Sequence, residues 1–200
     1  MSFYYFLAEP RNADHTQRVW FLILNKNTMD VTKILMDEHK LILKCVNLLL
    51  EKSGGEEDIA IYPKFVDFIQ NFADKYHHAK EEKILFREME KEGVLSHCNP
   101  LPQMLHEHEL GRGFVQGMIS GLEQNDLEKI RENAASYGRL LQEHIHKEDN
   151  ILYPMGEEGL SDAQKEVILN DYAEADKQHG GADFFKKYED LLVELGYTEQ

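Results

Sequence analysis

One ten-residue pattern occurs twice in this chain. His77-His78-Ala79-Lys80-Glu81-Glu82-Lys83-Ile84-Leu85-Phe86 lines up with His144-Ile145-His146-Lys147-Glu148-Asp149-Asn150-Ile151-Leu152-Tyr153, 67 residues later. The His, Lys, Glu, Ile and Leu positions are identical, and an acid and an aromatic match in kind. A second pair repeats beside it: Glu38-His39 is answered by Glu107-His108, 69 residues on. A chain built this way is held to two copies of one helix–helix hairpin. Each copy carries a lone His on its first helix and a His-x-x-x-Glu on its second.

Apolar periodicity supports helices throughout. The first spans about 31–52, with Leu35, His39, Ile42, Leu43, Val46 and Leu50 on one stripe and a stop at Ser53-Gly54-Gly55. The second spans about 58–91, with Phe65, Ile69, Phe72, Tyr76 and Ile84, and tolerates Pro63 in its first turn. The third covers about 101–123 and the fourth about 126–153, the latter ending at Pro154 and Gly156. A shorter helix follows over about 161–178, broken by Gly180-Gly181, with a last helical segment over 182–195. No stretch alternates with period two. The prediction is an all-α, antiparallel up-down four-helix bundle over 29–156. A C-terminal helical extension, 157–200, packs on it. Residues 1–28 lack a clear period and read as an N-terminal extension outside the core fold.

Positions i and i+4 lie on one helix face, about 6 Å apart along the axis. A His and a Glu so spaced can reach one ion, or the Glu can bridge two. At about 100° per residue, His39, His108, His144 and Glu148 all fall on or beside the apolar stripes of their helices. On the second helix His77 lies nearer the stripe than His78, which selects His77 with Glu81 over His78 with Glu82. His106 and His146 fall on the opposite faces and read as solvated. The resulting set is His39, His77, Glu81, His108, His144 and Glu148. A single inward His is ordinarily a satisfied core residue. Four on four stripes, with two Glu that are costly to bury unless paired or metal-bound, indicate a pair of first-row transition metals, iron foremost. A structural zinc site would favour thiolate ligands, and the chain's two cysteines, Cys45 and Cys98, form no such motif.

Composition excludes several other classes. Lys and Arg number 22 against 37 Asp and Glu, a formal charge of −15. That excess argues against nucleic acid and against an anionic membrane surface. The longest N-terminal apolar run, Val19 to Leu24, is far too short to span a bilayer. With so few cysteines, a reducing, cytoplasmic location is expected.

The residues Asp37-Glu38-His39, His77-His78-x-Lys80-Glu81-Glu82-x-x-Leu85-Phe86, Leu105-x-x-His108 and His144-Ile145-x-Lys147-Glu148-Asp149-x-x-Leu152-Tyr153-Pro154 together resemble the hemerythrin-like, or HHE cation-binding, family. The resemblance covers about 30–160. It implies a non-haem di-iron centre, two iron ions with a bridging oxo, hydroxo or water, held by the four imidazoles with Glu81 and Glu148 as bridging carboxylates. It implies a small ligand, O2, NO or peroxide, in sensing, scavenging or detoxification. Peroxide disproportionation, or delivery of iron to damaged iron–sulfur clusters, is a second implied role. An iron or oxygen sensor acting through a protein partner is a third, although the residues beyond 156 are too few for the signalling domains attached in such relatives.

Two departures stand out. Oxygen-carrying hemerythrins have a further His one turn beyond the third-helix ligand, where this chain has Arg112. Arg has no acceptor and binds no metal, which puts plain oxygen carriage in doubt. The oxygen carriers also use an Asp five residues after the fourth-helix His, here Asp149, whereas helix geometry favours Glu148. Among other residues, Lys80 and Lys147 read as solvated or surface-paired, and Glu38 and Glu107 as exposed in preference to serving as acceptors behind the ligand histidines. Tyr76 and Tyr137 read as packing groups in preference to donors toward a bound ligand, and Cys45 as lying off its stripe. His179 and Glu174 sit over one end of the bundle without ligating. Gly113, Gly117 and Gly121 recur every fourth residue on the third helix, a spacing suited to close helix approach.

Overall fold

The computed structural model describes residues 30–55, 58–95 and 98–198; the expected extension 1–28 lies outside them. Among the described residues every regular element is helical. The first rod is α1 (Thr32–Gly54). The second starts with a 3-10 turn, Ile59–Ile61, and α2 (Tyr62–Phe68), with Pro63 in its first turn as expected. It continues through π-wound stretches Ile69–His78 and Glu81–Leu85 into α3 (Phe86–Met89). The third rod is α4 (Leu101–Gln124). The fourth is α5 (Leu127–Lys147), a π-wound stretch Glu148–Leu152 and α6 (Tyr153–Gly159). Two further helices follow, α7 (Asp162–His179) and α8 (Ala182–Glu194).

Local chemistry sets the joints. Asn125 takes the left-handed conformation (φ 54°) that ends α4, and the Asp126 side chain accepts from the Lys129 amide to start α5. Ser161 opens α7 with a reciprocal capping box to Gln164. Gly180 and Gly181, both at positive φ, turn the chain into α8. The fourth rod does not stop at Pro154, as expected, but runs to Gly159. The π-wound turn before it lets a new α segment begin at Tyr153, and Pro154 sits in that first turn, where a missing N–H costs least.

The third rod and α5 of the fourth meet in opposite sequence sense. Gly111 lies against Tyr137, Gly117 against Asn133 and Gly121 against Ile130, so α4 and α5 run past each other. The close approach expected of the helix-3 glycines holds at Gly117 and Gly121, whereas Gly113 faces open space.

Two apolar clusters divide the interior. One gathers Ile42, Leu49, Phe65, Phe72, Met118 and Leu141. The other gathers Leu35, Leu85, Met89, Leu101, Leu152 and Ile168. On each rod the histidines and acids of the repeat fall between a stretch in one cluster and a stretch in the other. The polar groups therefore form a layer across the middle of the molecule. The C-terminal helices close one side, with Tyr172 of α7 in the second cluster and Tyr188 of α8 in the first.

Candidate metal centre

All six residues singled out in the sequence lie in that middle layer, each at most 2% exposed. The rods bring them into two groups of donor atoms, each within 4.8 Å. One group is His39, His77, Glu81 and Glu148; the other is His78, Glu81, His108 and His144. Glu81 belongs to both. Its Oε1 lies 3.6 Å from His77 Nε2, and its Oε2 lies 3.5 Å from His108 Nε2. Glu148 also spans the two, with Oε2 3.4 Å from His39 Nε2 and Oε1 3.2 Å from His144 Nε2. Five imidazoles thus surround two carboxylates that face both halves.

The imidazoles are aimed by an outer ring of acids. His39 Nδ1–H donates to Asp149 (2.7 Å), His77 to Glu38 (2.9 Å), His108 to Glu82 (2.7 Å) and His144 to Glu107 (2.9 Å). Donation at Nδ1 leaves each Nε2 lone pair pointing inward, the arrangement of metal-binding histidines. Asp149, weighed against Glu148, thus lies outside both donor groups and orients His39 instead. Lys80 and Lys147 hold Glu38 and Glu107 from behind. Tyr153 donates to Glu81 Oε1 (2.5 Å) and stacks on the His39 ring. The Arg112 guanidinium binds Asp74 (2.7 Å), Glu82 (2.7 Å) and Glu109 (2.6 Å), so it reaches the centre through the carboxylate that holds His108 and through Asp74, which lies 3.5 Å from His78 Nδ1.

The donor set fits metal ions. Glu81 Oε2 and both Glu148 carboxylate oxygens are buried with no hydrogen-bond partner, an arrangement costly for a carboxylate unless a cation meets it. His108 Nε2 and His144 Nε2 lie 2.9 Å apart, although both rings already donate through Nδ1. Two lone pairs cannot face each other at that distance without a proton or a metal between them. Protons take that part in the metal-free chain. Burial lowers the His144 pKa, but the charge of Glu148 and the bond to Glu107 outweigh it and lift it to about 10. Burial likewise opposes, and the bond to Asp149 and the nearby Glu148 carboxylate overcome, at His39, which rises to about 9. Burial and then the His39 charge push His77 well down, and burial with the nearby His108 does the same to His78. Burial and the facing Glu148 charge raise Glu81, while Glu148 falls because His144 and His39 outweigh its burial.

Four expectations are corrected. His78 does not give way to His77: both are buried, and His78 joins a donor group while stacking on His108 at 3.9 Å. A constant 100° per residue does not hold on this rod: Ile69–His78 is π-wound, and the wider turn brings neighbouring residues onto one face. The repeat held the missing signal, because His78 aligns with Ile145, an apolar-stripe residue. Lys80 is 1% exposed rather than solvated; besides Glu38 it binds Asp176 of α7 at 3.2 Å. Glu38 and Glu107, expected to be exposed, are buried beneath His77 and His144. Their common Glu-His dipeptide was the available signal. Cys45, expected off its stripe, is 1% exposed and belongs to the first apolar cluster, which also takes in Tyr137 and, from α8, Tyr188. His106 and His146 are exposed, as expected.

The hemerythrin HHE cation-binding domain matches residues 30–156, and the chain belongs to that family. An uncharacterized protein of Mycobacterium bovis and two of Mycobacterium tuberculosis strains are each 24% identical to it over 119 residues, covering 56% of this chain and 44% of theirs. The chain thus spans less than half the length of these curated relatives. No solved structure gives a significant match. Among the described residues no helix is long and apolar enough to cross a membrane.

Proposed function

We propose that the chain is a cytoplasmic di-iron protein of up-down four-helix-bundle type that binds O2, NO or peroxide in order to sense, scavenge or detoxify it. It has no nucleic-acid or membrane partner in this reading. The observation that carries it is the pair of overlapping donor groups that share Glu81, with Glu148 spanning both. His39 and His77 would hold one iron, His78, His108 and His144 the other, and Glu81 and Glu148 would bridge them. Iron held there supplies reversible binding of a small ligand and exchange of electrons with it. The chain's own groups prepare that chemistry. Asp149, Glu38, Glu82 and Glu107 fix the imidazole tautomers, Tyr153 holds Glu81 in place, and the two apolar clusters exclude water on either side.

The unequal histidine count favours ligand binding at the two-histidine half, which has fewer protein donors. Metal analysis of protein from its native source tests the reading. Two irons per chain with oxo-bridged absorption in the oxidised state are expected. One metal per chain, or zinc alone, overturns it.

A further inference from the structure

One supporting arm occurs in both halves of the repeat, and α7 alters one copy of it. In each, a histidine donates through Nδ1 to one oxygen of a glutamate, and a lysine donates to the other oxygen. The arms are His77–Glu38–Lys80 and His144–Glu107–Lys147. On the second arm Lys147 is a third exposed and pairs with no other acid among the described residues. The neutral Gln103 amide donates to the same Glu107 oxygen at 2.8 Å. On the first arm Lys80 is sealed in and is shared with Asp176, 3.2 Å away. Tyr76 donates to that same Asp176 oxygen at 2.5 Å, and its ring centroid lies 3.8 Å from the ammonium. Asp176 belongs to α7, beyond the residues 30–156 that match the family.

A cation divided between two carboxylates neutralises each of them less than one it serves alone. Asp176 therefore leaves Glu38 more of its negative charge. A more negative acceptor makes the imidazole that donates to it a stronger metal ligand. Burial enlarges the effect, because little water screens these charges. It falls on the half of the centre that has two histidines, where each imidazole counts for most.

We propose that Asp176 is a positioning residue of the metal centre, through which the C-terminal helix α7 strengthens His77 and so secures the metal of the two-histidine half. The proposal rests on the metal-centre reading above. It makes the docking of α7 a control on the occupancy of one half and not of the other.

Titration of the metal-free full chain with Co2+, followed by its visible absorption, tests it. Two binding steps are expected, and the one abolished by His39→Ala is thereby assigned to the two-histidine half. Asp176→Asn keeps the side chain's shape and an acceptor for Tyr76 but removes the charge. It is expected to weaken that step about tenfold or more and to leave the other in place, with circular dichroism confirming the fold. Tyr76→Phe removes a buried contact of Asp176 and not its charge, and is expected to leave both steps in place. Coupling between sites is reciprocal, which gives a second measurement on the native chain. Filling the two-histidine half should slow amide exchange across α7, an effect missing when His39→Ala takes up its single metal. Asp176→Asn that moves neither step, or both alike, overturns the role of Asp176 and leaves the metal centre standing. So does a Tyr76→Phe loss equal to that of Asp176→Asn, which marks a packing effect, or α7 exchange that ignores metal. A native chain that takes up fewer than two Co2+ overturns the metal-centre reading, and this proposal with it.

Discussion

Lys80 and Lys147 hold equivalent places in the two halves, yet one is sealed in the core and the other is a third exposed. The difference comes from Asp176 and Tyr76, which enclose Lys80 beneath α7. Removing one partner of a buried ion pair strands the other, at about 3–5 kcal/mol, whereas exposed pairs contribute roughly 0–1 kcal/mol. Lys80→Met is therefore expected to destabilise the chain by about 3 kcal/mol or more, and Lys147→Met by about 1 kcal/mol or less. Urea denaturation of the two variants compares them directly; equal losses would refute the burial argument. Protonation follows the same local logic. His39 and His144 hold protons at neutral pH in the metal-free chain, with pKa values of about 9 and about 10. Metal must displace those protons, so its apparent affinity should climb from pH 6 to about pH 9, with proton release seen by calorimetry in buffers of different ionisation enthalpy. An affinity flat across that range would contradict the assignment. The metal-free fold has the opposite slope: stability from the raised His39 is full below its ordinary 6.5 and is lost as pH rises through about 9. At Glu82 and Glu107 burial acts upward, but bonds from His108 and His144 hold both at about 2, so their contribution is present above 4.5 and lost as pH falls toward 2.

At the scale of the element, the third rod shows what a glycine does by position. A Cβ on Gly121 would sit 2.6 Å from the Ile130 side chain and 3.1 Å from the backbone of the next helix, whereas one on Gly113 meets nothing. Gly121→Ala should therefore cost about 1–3 kcal/mol through overpacking, while Gly113→Ala should add roughly 0.5–1 kcal/mol of helix stability. Thermal denaturation reads both, and the same sign for the two would undo the packing account. Much of the rod layout was legible in the sequence, since apolar stripes and Gly, Asn and Ser punctuation mark ends to within a few residues. The π-wound stretches at Ile69–His78, Glu81–Leu85 and Glu148–Leu152 were not, because an i→i+5 turn leaves no compositional trace. That winding is what turns His78 inward beside His77. The outer acids Glu38 and Glu107 were misplaced for another reason: adjacency to an inward His puts them at a face that looks outward on an isolated helix and is covered once a neighbouring rod arrives. Asp176 had no signal at all, as an acid on a weakly amphipathic helix.

Across the whole molecule, the acid excess of −15 divides into two populations. Most of it keeps the surface charged, while Glu38, Glu81, Glu148 and Asp176 lie within the layer that separates the two apolar clusters. That stratification bears on cooperativity. Each apolar cluster buries its own set of side chains, and the ionic layer between them gains least from folding until its charges are matched. Without metal the two ends are expected to open as separate units, and with metal to behave as a single one. Amide hydrogen exchange distinguishes the two: α2 and α3, at opposite ends of one rod, should exchange with different opening free energies in the metal-free chain and converge on metal loading. The middle layer then acts as a keystone, whose occupancy decides whether the protein melts in one step or in two.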